Sequence, residues 1–173
     1  IGERKRIIIS YDDMPNHVVQ AFIAAEDRRF FDHPGIDYQG TLRAALNILI
    51  TGKISGGGST LTQQLARDYF LNRKRVFTRK MLEAFLAYNI EQEFSKKEIM
   101  TLFVNKMFFG QRAYGVAAAA QVFFGKSINN INIAEAATLA GVLPAPSNYN
   151  PVRSPNLAKI RRDYVLSRMH QLG

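Results

Sequence analysis

The sequence predicts an all-α, mainly helical fold. Three observations carry this prediction: apolar residues recur at three- and four-residue spacing in most segments, capping residues stand just ahead of those segments, and only Arg6 to Ile9 reads as extended. Asp13 before Pro15 marks a helix start, after which Val18, Val19, Phe22, Ile23 and Glu26 share one stripe. The pattern breaks at His33-Pro34-Gly35. Asp37 is placed to cap a second helix with the stripe Leu42, Ala45, Leu46 and Leu49, ending at Gly52. Beyond the glycine run Gly56-Gly57-Gly58, Ser59 opens a helix through Leu61, Leu65 and Phe70. Thr78 to Phe94 then repeats apolar residues at Leu82, Phe85, Leu86 and Ile90. Ser95 with Glu98 fits a capping box for Lys96 to Asn105. An alanine-rich helix follows around Gly115 to Val122, then one from Glu135 to Gly141. The last runs from Pro155, capped by Ser154, to Met169, and a loop holding Pro144, Pro146 and Pro151 precedes it. Arg6 to Ile9 fits a short edge strand.

The 173 residues make one domain, with no internal repeat, low-complexity tract or linker. Absence of cysteine excludes thiolate zinc sites, iron–sulfur clusters and a cysteine nucleophile, and His17, His33 and His170 contain no pair at metal-ligand spacing. The 23 Lys and Arg against 14 Asp and Glu give a net charge of +9. Such a charge attracts nucleic acid, a phosphorylated substrate or an anionic membrane surface. Its densest part is Arg67, Arg73, Lys74, Arg75, Arg79 and Lys80, opposed only by Asp68; Arg4 to Arg6, and Lys159, Arg161, Arg162 and Arg168, form lesser clusters. No stretch reaches the roughly 18 apolar residues of a spanning helix, and no signal-peptide pattern is present. The chain begins at Ile1 rather than Met, as a segment of a larger protein would.

Two carboxylates stand out. Glu26 follows Phe22 by four residues and Ile23 by three, so helical geometry sets it on the apolar face of its own helix. Desolvation raises a carboxyl pKa, and a group so shifted can exchange a proton near neutral pH. From this feature alone, a structural ion pair with Arg29 or Arg79 is the simpler account. Asp27 beside it is expected to face outward or cap the next turn, and His33 to be a satisfied turn histidine. Glu83 has Arg79 four residues before it and Lys80 three before, all on one helical face. A solvated salt-bridge ladder would use these residues, but acid-before-base is the more favourable order for that purpose. Amid so many cations, a phosphate or pyrophosphate site fits better, with Glu83 positioning a base or holding a divalent cation.

The glycine run leads into a helix N-terminus, where free N–H groups and the dipole attract anions, and Ser59, Thr60, Thr62, Gln63 and Gln64 add neutral donors. No Gly-Lys-Ser/Thr follows, so it is not a Walker A loop. On composition alone, a mobile loop with an N-cap is the simpler account.

Taken in order, Glu26-Asp27-Arg28-Arg29-Phe30-Phe31-Asp32-His33-Pro34-Gly35, Gly57-Gly58-Ser59-Thr60-Leu61-Thr62-Gln63-Gln64 and Arg79-Lys80-Met81-Leu82-Glu83 resemble successive motifs of the peptidoglycan glycosyltransferases (glycosyltransferase family 51) of class A penicillin-binding proteins. Lys97 to Asn105, Phe109-Gly110, Tyr114-Gly115 and Phe124-Gly125-Lys126 look like the fourth motif, and Leu139-Ala140-Gly141 to Asn150-Pro151 like the fifth. The resemblance spans the whole chain, residues 1–173, as one glycosyltransferase domain. It implies a lysozyme-like fold with a globular head and a small jaw lobe at the outer leaflet of the bacterial inner membrane. Leu42 to Ile50 carries apolar residues on more than one helical face, so it enters lipid or is buried on both sides in protein.

By the same resemblance the chain polymerises lipid II, with the growing glycan on undecaprenyl pyrophosphate as donor. Glu26 would be the base, Glu83 a second catalytic group, and Ser59, Thr60, Gln63, Gln64, Arg67, Arg75, Arg79 and Lys80 would bind substrate and pyrophosphate. Asp27, Phe30, His33 and Asn105 would serve the acceptor site or the fold. Mg²⁺ or Mn²⁺ held by Glu83 is the one cofactor implied, with no organic cofactor. Implied partners are the inner membrane, reached from its periplasmic side through an N-terminal anchor absent from this chain, and a C-terminal transpeptidase domain. Arg67 stands where the family often has Lys, which favours bidentate phosphate contact. A lysozyme-like hydrolase would use the fold and glutamate without needing the basic cluster. A nucleic-acid-binding role is not expected, since no nucleic-acid-binding motif appears.

Overall fold

A computed structural model of the chain describes residues 5–52, 58–70 and 77–173. Among the described residues there are eight α-helices: α1 (Asn16–Glu26), α2 (Tyr38–Thr51), α3 (Leu61–Phe70), α4 (Phe77–Glu93), α5 (Lys96–Lys106), α6 (Val116–Phe124), α7 (Ile133–Val142) and α8 (Pro155–Leu172). The mainly helical prediction holds, with a small sheet added. Strands β1 (Lys5–Arg6), β2 (Phe108–Gly110) and β3 (Ala113–Tyr114) run in the order β1-β3-β2, parallel between β1 and β3 and antiparallel between β2 and β3. The hairpin escaped the sequence reading because its turn residues, Gln111 and Arg112, take positive φ without the glycine or asparagine that marks such turns. The edge strand covers Lys5–Arg6 rather than Arg6 to Ile9. Asn105 claims Ile9 instead, its Oδ1 accepting from Ile9 N at 3.0 Å and its Nδ2 donating to Ile9 O at 2.7 Å.

Two compact units divide the chain. In the first, Ile1–Arg28 with Met100–Gly173, α1 packs against α7 and α8. Its core gathers Val18, Val19 and Phe22 of α1, and Phe22 meets Phe103 and Phe109 edge-on with centroids 6.4 and 6.2 Å apart. Buried small residues, Ala117 to Ala120 on α6 and Ala136, Ala137 and Ala140 on α7, allow helices to approach closely. The second unit, Arg29–Ile99, packs α3 on α4 through Leu61, Leu65, Ala66 and Ala87. Here α2 has no buried residue, so the described part of this chain does not bury it on both sides. Among the described residues no helix is long and apolar enough to cross a membrane.

Helix starts agree with the sequence where a side chain has no better partner. Asp37 caps α2 by accepting from Gly40 N at 2.9 Å, and Ser95 and Glu98 form the expected box on α5. Asp13 caps nothing: Ser10 Oγ donates to it at 2.6 Å, and Pro15 occupies the N-cap of α1. Ser154 stands at the N-cap of α8 without a side-chain cap bond, with Pro155 in the first helical position. On α3 the cap is Thr60 rather than Ser59, in a box where Thr60 Oγ1 accepts from Gln63 N at 3.1 Å and Gln63 Oε1 accepts from Thr60 N at 3.0 Å.

The α7 start adds an ion pair to its box. Asn132 and Glu135 bond reciprocally, and Lys126 Nζ lies 2.7 Å from Glu135 Oε1. The Lys126 hydrogen bond, helped by the Asn132 N–H and opposed by partial burial, holds the Glu135 carboxyl below its ordinary 4.5. A lowered folded pKa means the stabilisation is present above the unfolded value and disappears as pH falls through the folded one. Glu135→Gln should therefore cost roughly 0.5–1 kcal/mol at pH 7. The gap to the parent should close as pH drops below 4.5 in a series of denaturant titrations.

Candidate active site

In the second unit the spacing of Arg79, Lys80 and Glu83 on α4 brings both cations to one carboxylate. Glu83 is only 1% exposed, so the solvated ladder is excluded. Lys80 Nζ donates to Glu83 Oε2 at 2.9 Å and to Ser59 Oγ at 2.5 Å, tying α4 to the residue before the α3 cap. Arg79 Nε stands 3.2 Å from Glu83 Oε1, an ion-pair contact outside hydrogen-bond alignment. A buried carboxylate demands such cations. In return it fixes two long side chains whose heads stay partly in solvent, Lys80 being 52% exposed. Ser59, Arg79, Lys80 and Glu83 thus form one cluster. Arg67 sits at the end of α3, 3.5 Å from Asp68, and Gln64 lies half-buried in the first turn of α3. Arg75 and Gly57, like Arg73, Lys74 and Gly56, lie outside the described residues.

Beside this cluster the loop from Arg29 to Asp37 is pinned at several points. Arg29 bonds Asp37 at 3.1 Å. Gly35, at φ +90°, passes so close to α4 that a Cβ would stand 2.6 Å from Ala87 O, so only glycine fits. Its carbonyl accepts from Thr60 Oγ1 at 2.6 Å. Lys96 Nζ donates to His33 O at 2.6 Å and to Glu91 Oε1 at 2.8 Å, and lies 4.6 Å from the Phe30 ring centroid; Thr62 Oγ1 donates to the same Glu91 oxygen at 2.6 Å. Sequence reasoning missed Lys96 and Glu91, which look like ordinary surface charges until the loop folds over them.

Several candidate residues prove to hold the fold. Thr60 and Gln63 are buried and engaged in the α3 cap. Phe30 is a fully buried core ring. His33 is the satisfied turn histidine expected, its Nδ1 accepting from Gly35 N at 3.2 Å. Asn105 pins Ile9 and also donates to Thr101 O at 2.8 Å. Asp27 does not face outward: it is 6% exposed at the C-cap of α1, because the chain turns inward as the helix ends. Glu26, the last residue of α1, belongs to the first unit and is half-buried. Among the described residues no three His, Asp or Glu side chains gather to hold a metal, and both Glu83 oxygens face cations. Glu83 as found does not fit a metal ligand.

A profile of known transglycosylases matches residues 1–170. The chain belongs to the transglycosylase family. Penicillin-binding protein 1A of Escherichia coli K12 is 50% identical over 99% of this transglycosylase chain, which spans 20% of that protein. The Neisseria flavescens protein of the same name is 48% identical over 99% of the chain and 22% of its own length. The crystal structure of penicillin-binding protein 1A from Haemophilus influenzae superposes with a TM-score of 0.57 at 31% identity, covering 98% of this chain and 16% of that one. The chain thus spans about a fifth of the relatives it matches. The transglycosylase is a peptidoglycan glycosyltransferase, acting in glycan polymerisation.

Since Glu83 is buried against two cations, Arg79→Met should lower stability by roughly 1–3 kcal/mol. The double variant Arg79→Met/Glu83→Leu should lose less than the two single losses combined in urea unfolding, because it leaves no unmatched carboxylate.

Proposed function

We propose that the chain polymerises lipid II into linear glycan strands by inverting transfer, with Glu26 as the base. Glu26 takes the proton from the 4-hydroxyl of the lipid II N-acetylglucosamine as that oxygen attacks C1 of the donor sugar. The C1–oxygen bond to undecaprenyl pyrophosphate breaks, and a β-1,4 link forms. Negative charge grows on the departing pyrophosphate, so cations already in place lower the barrier without reorganising. Arg79 and Lys80 supply that charge, with Arg67 and Arg75 from the same basic stretch of the sequence and Ser59 and Gln64 as hydrogen-bonding partners.

The observation that carries this reading is the Lys80 ammonium held between Ser59 Oγ and the buried Glu83, which preorganises a cation at a helix start. We assign Glu83 the role of orienting Arg79 and Lys80 and route no step through a metal. The glutamate and basic stretch also occur in the order of the motifs that the sequence resembles, in a chain matched over residues 1–170.

We assign the domain to the outer face of the bacterial inner membrane, with α2 in the lipid surface. Leu49 and Ile50 are 81% and 82% exposed, and Met81 and Phe85 of α4 are exposed too, apolar surface of the kind that suits a lipid partner. The remaining four-fifths of the full-length protein would carry a penicillin-binding transpeptidase domain, in keeping with the names of the relatives.

Two measurements test the reading. Loss of a positioned base costs about 10²–10⁴-fold, so Glu26→Gln should nearly abolish polymerisation of labelled lipid II while leaving its binding intact; near-normal turnover would refute the assignment. Ile48→Asp with Leu49→Asp should weaken liposome binding with helical circular dichroism unchanged.

A further inference from the structure

Taking Glu26 as the base, we propose that Arg168 is the residue that positions it. The last turn of a helix leaves carbonyls without intrahelical partners. On α1, Ile23 O accepts from Asp27 N at 2.9 Å, and the next carbonyl, that of the fully buried Ala24, accepts from Arg168 Nε at 3.0 Å. These partners are 144 residues apart in the chain, and Glu26 follows Ala24 by two residues. The α1 C-terminus has no basic residue of its own in its last turn. It carries the negative end of the helix dipole together with the Glu26 carboxylate, an unfavourable pairing that a guanidinium offsets.

Arg168 is itself held in place. Val165, one turn before it, is fully buried, and Ala158 continues the same inward stripe. The Tyr164 ring lies 5.7 Å from the Arg168 guanidinium carbon and 4.8 Å from that of Arg161. Arg161 in turn stacks on Tyr149 at 5.2 Å and packs against Gly141, where a Cβ would stand 3.2 Å from the Arg161 Cβ. The guanidinium therefore reaches the Ala24 carbonyl from a fixed base on α8 and sets where α1 stops. Arg168 touches no reacting atom in this scheme; it acts through the backbone that carries Glu26.

The test uses full-length protein with labelled lipid II, measuring kcat and KM per folded molecule. Arg168→Met keeps the stem and removes the donor and charge, and should lower kcat about 10- to 100-fold with KM little changed; Arg168→Lys should recover a substantial part. Asn132→Ala, which removes the α7 cap, serves as a destabilised control and should keep its kcat. An unchanged kcat in Arg168→Met, or an equal fall in Asn132→Ala, overturns the proposal. Glu26→Gln run in parallel separates the two ideas. An active Glu26→Gln overturns the base assignment and this one with it, whereas an inactive Glu26→Gln beside a normal Arg168→Met overturns the Arg168 role alone. Should Arg168→Met fail to fold, Tyr164→Leu takes its place: it loosens the guanidinium without removing it and should lower kcat several-fold, and no change there overturns the proposal.

Discussion

A carboxylate withdrawn from water must be matched by cations, and Glu83 meets that requirement with the two residues one turn before it on α4. The attraction is worth far more in a buried setting than on a surface, where such pairs contribute little. The buried Glu83 holds Arg79 and Lys80 beside it, and Lys80 reaches on to Ser59 at the entry to α3. Desolvation of one side chain thereby organises a stretch of positive charge that would otherwise be a set of flexible surface cations. That organisation matters for a reaction whose leaving group gains negative charge, since donors fixed beforehand need no rearrangement as the charge develops.

The same economy of anchoring recurs around the cluster. Thr60 serves two ends, its hydroxyl accepting within the α3 cap and donating to Gly35 O. Lys96 joins the His33 carbonyl, Glu91 and the Phe30 ring, so the loop that follows α1 is held by side chains from α3, α4 and the start of α5. Among the residues so engaged, several belong to the motifs that first drew attention. Motif membership therefore mixes two duties, direct chemistry and the fixing of loops, and hydrogen-bond inventories separate them: Thr60, Gln63, His33 and Asn105 have their polar groups committed within the fold, while Lys80 and Arg67 keep exposed heads.

Legibility in the sequence followed the range of the interactions. Helices with a near-neighbour cap and a periodic apolar stripe, such as α2 and α5, were readable to within a residue or so. Ser59 and Asp13 do not cap the helices they precede, because Thr60 takes the α3 cap and Ser10 engages Asp13, while Ser154 holds the N-cap position of α8 without a side-chain bond. The β2–β3 hairpin lacked turn chemistry, and the extended Arg6 to Ile9 was shortened by a distant asparagine. Burial of Glu83 could be guessed only from its neighbours' charge, whereas burial of Asp27 contradicted the ordinary expectation for an acid beside a helix end.

What the sequence by itself determined was the helical class, the order of the motifs, the coincidence of Glu83 with two cations on one face, and the concentration of charge between Arg67 and Lys80. Those follow from spacing along the chain, which helical periodicity converts into geometry without further information. Only the tertiary structure decided that Glu83 is dry and α2 is not, that Lys96 supports the Phe30 loop, and that Arg168 bonds the Ala24 carbonyl in the last turn of the helix bearing Glu26. Each of these depends on residues brought together across the chain, and solvent exclusion is a property of the packed unit that no local pattern encodes.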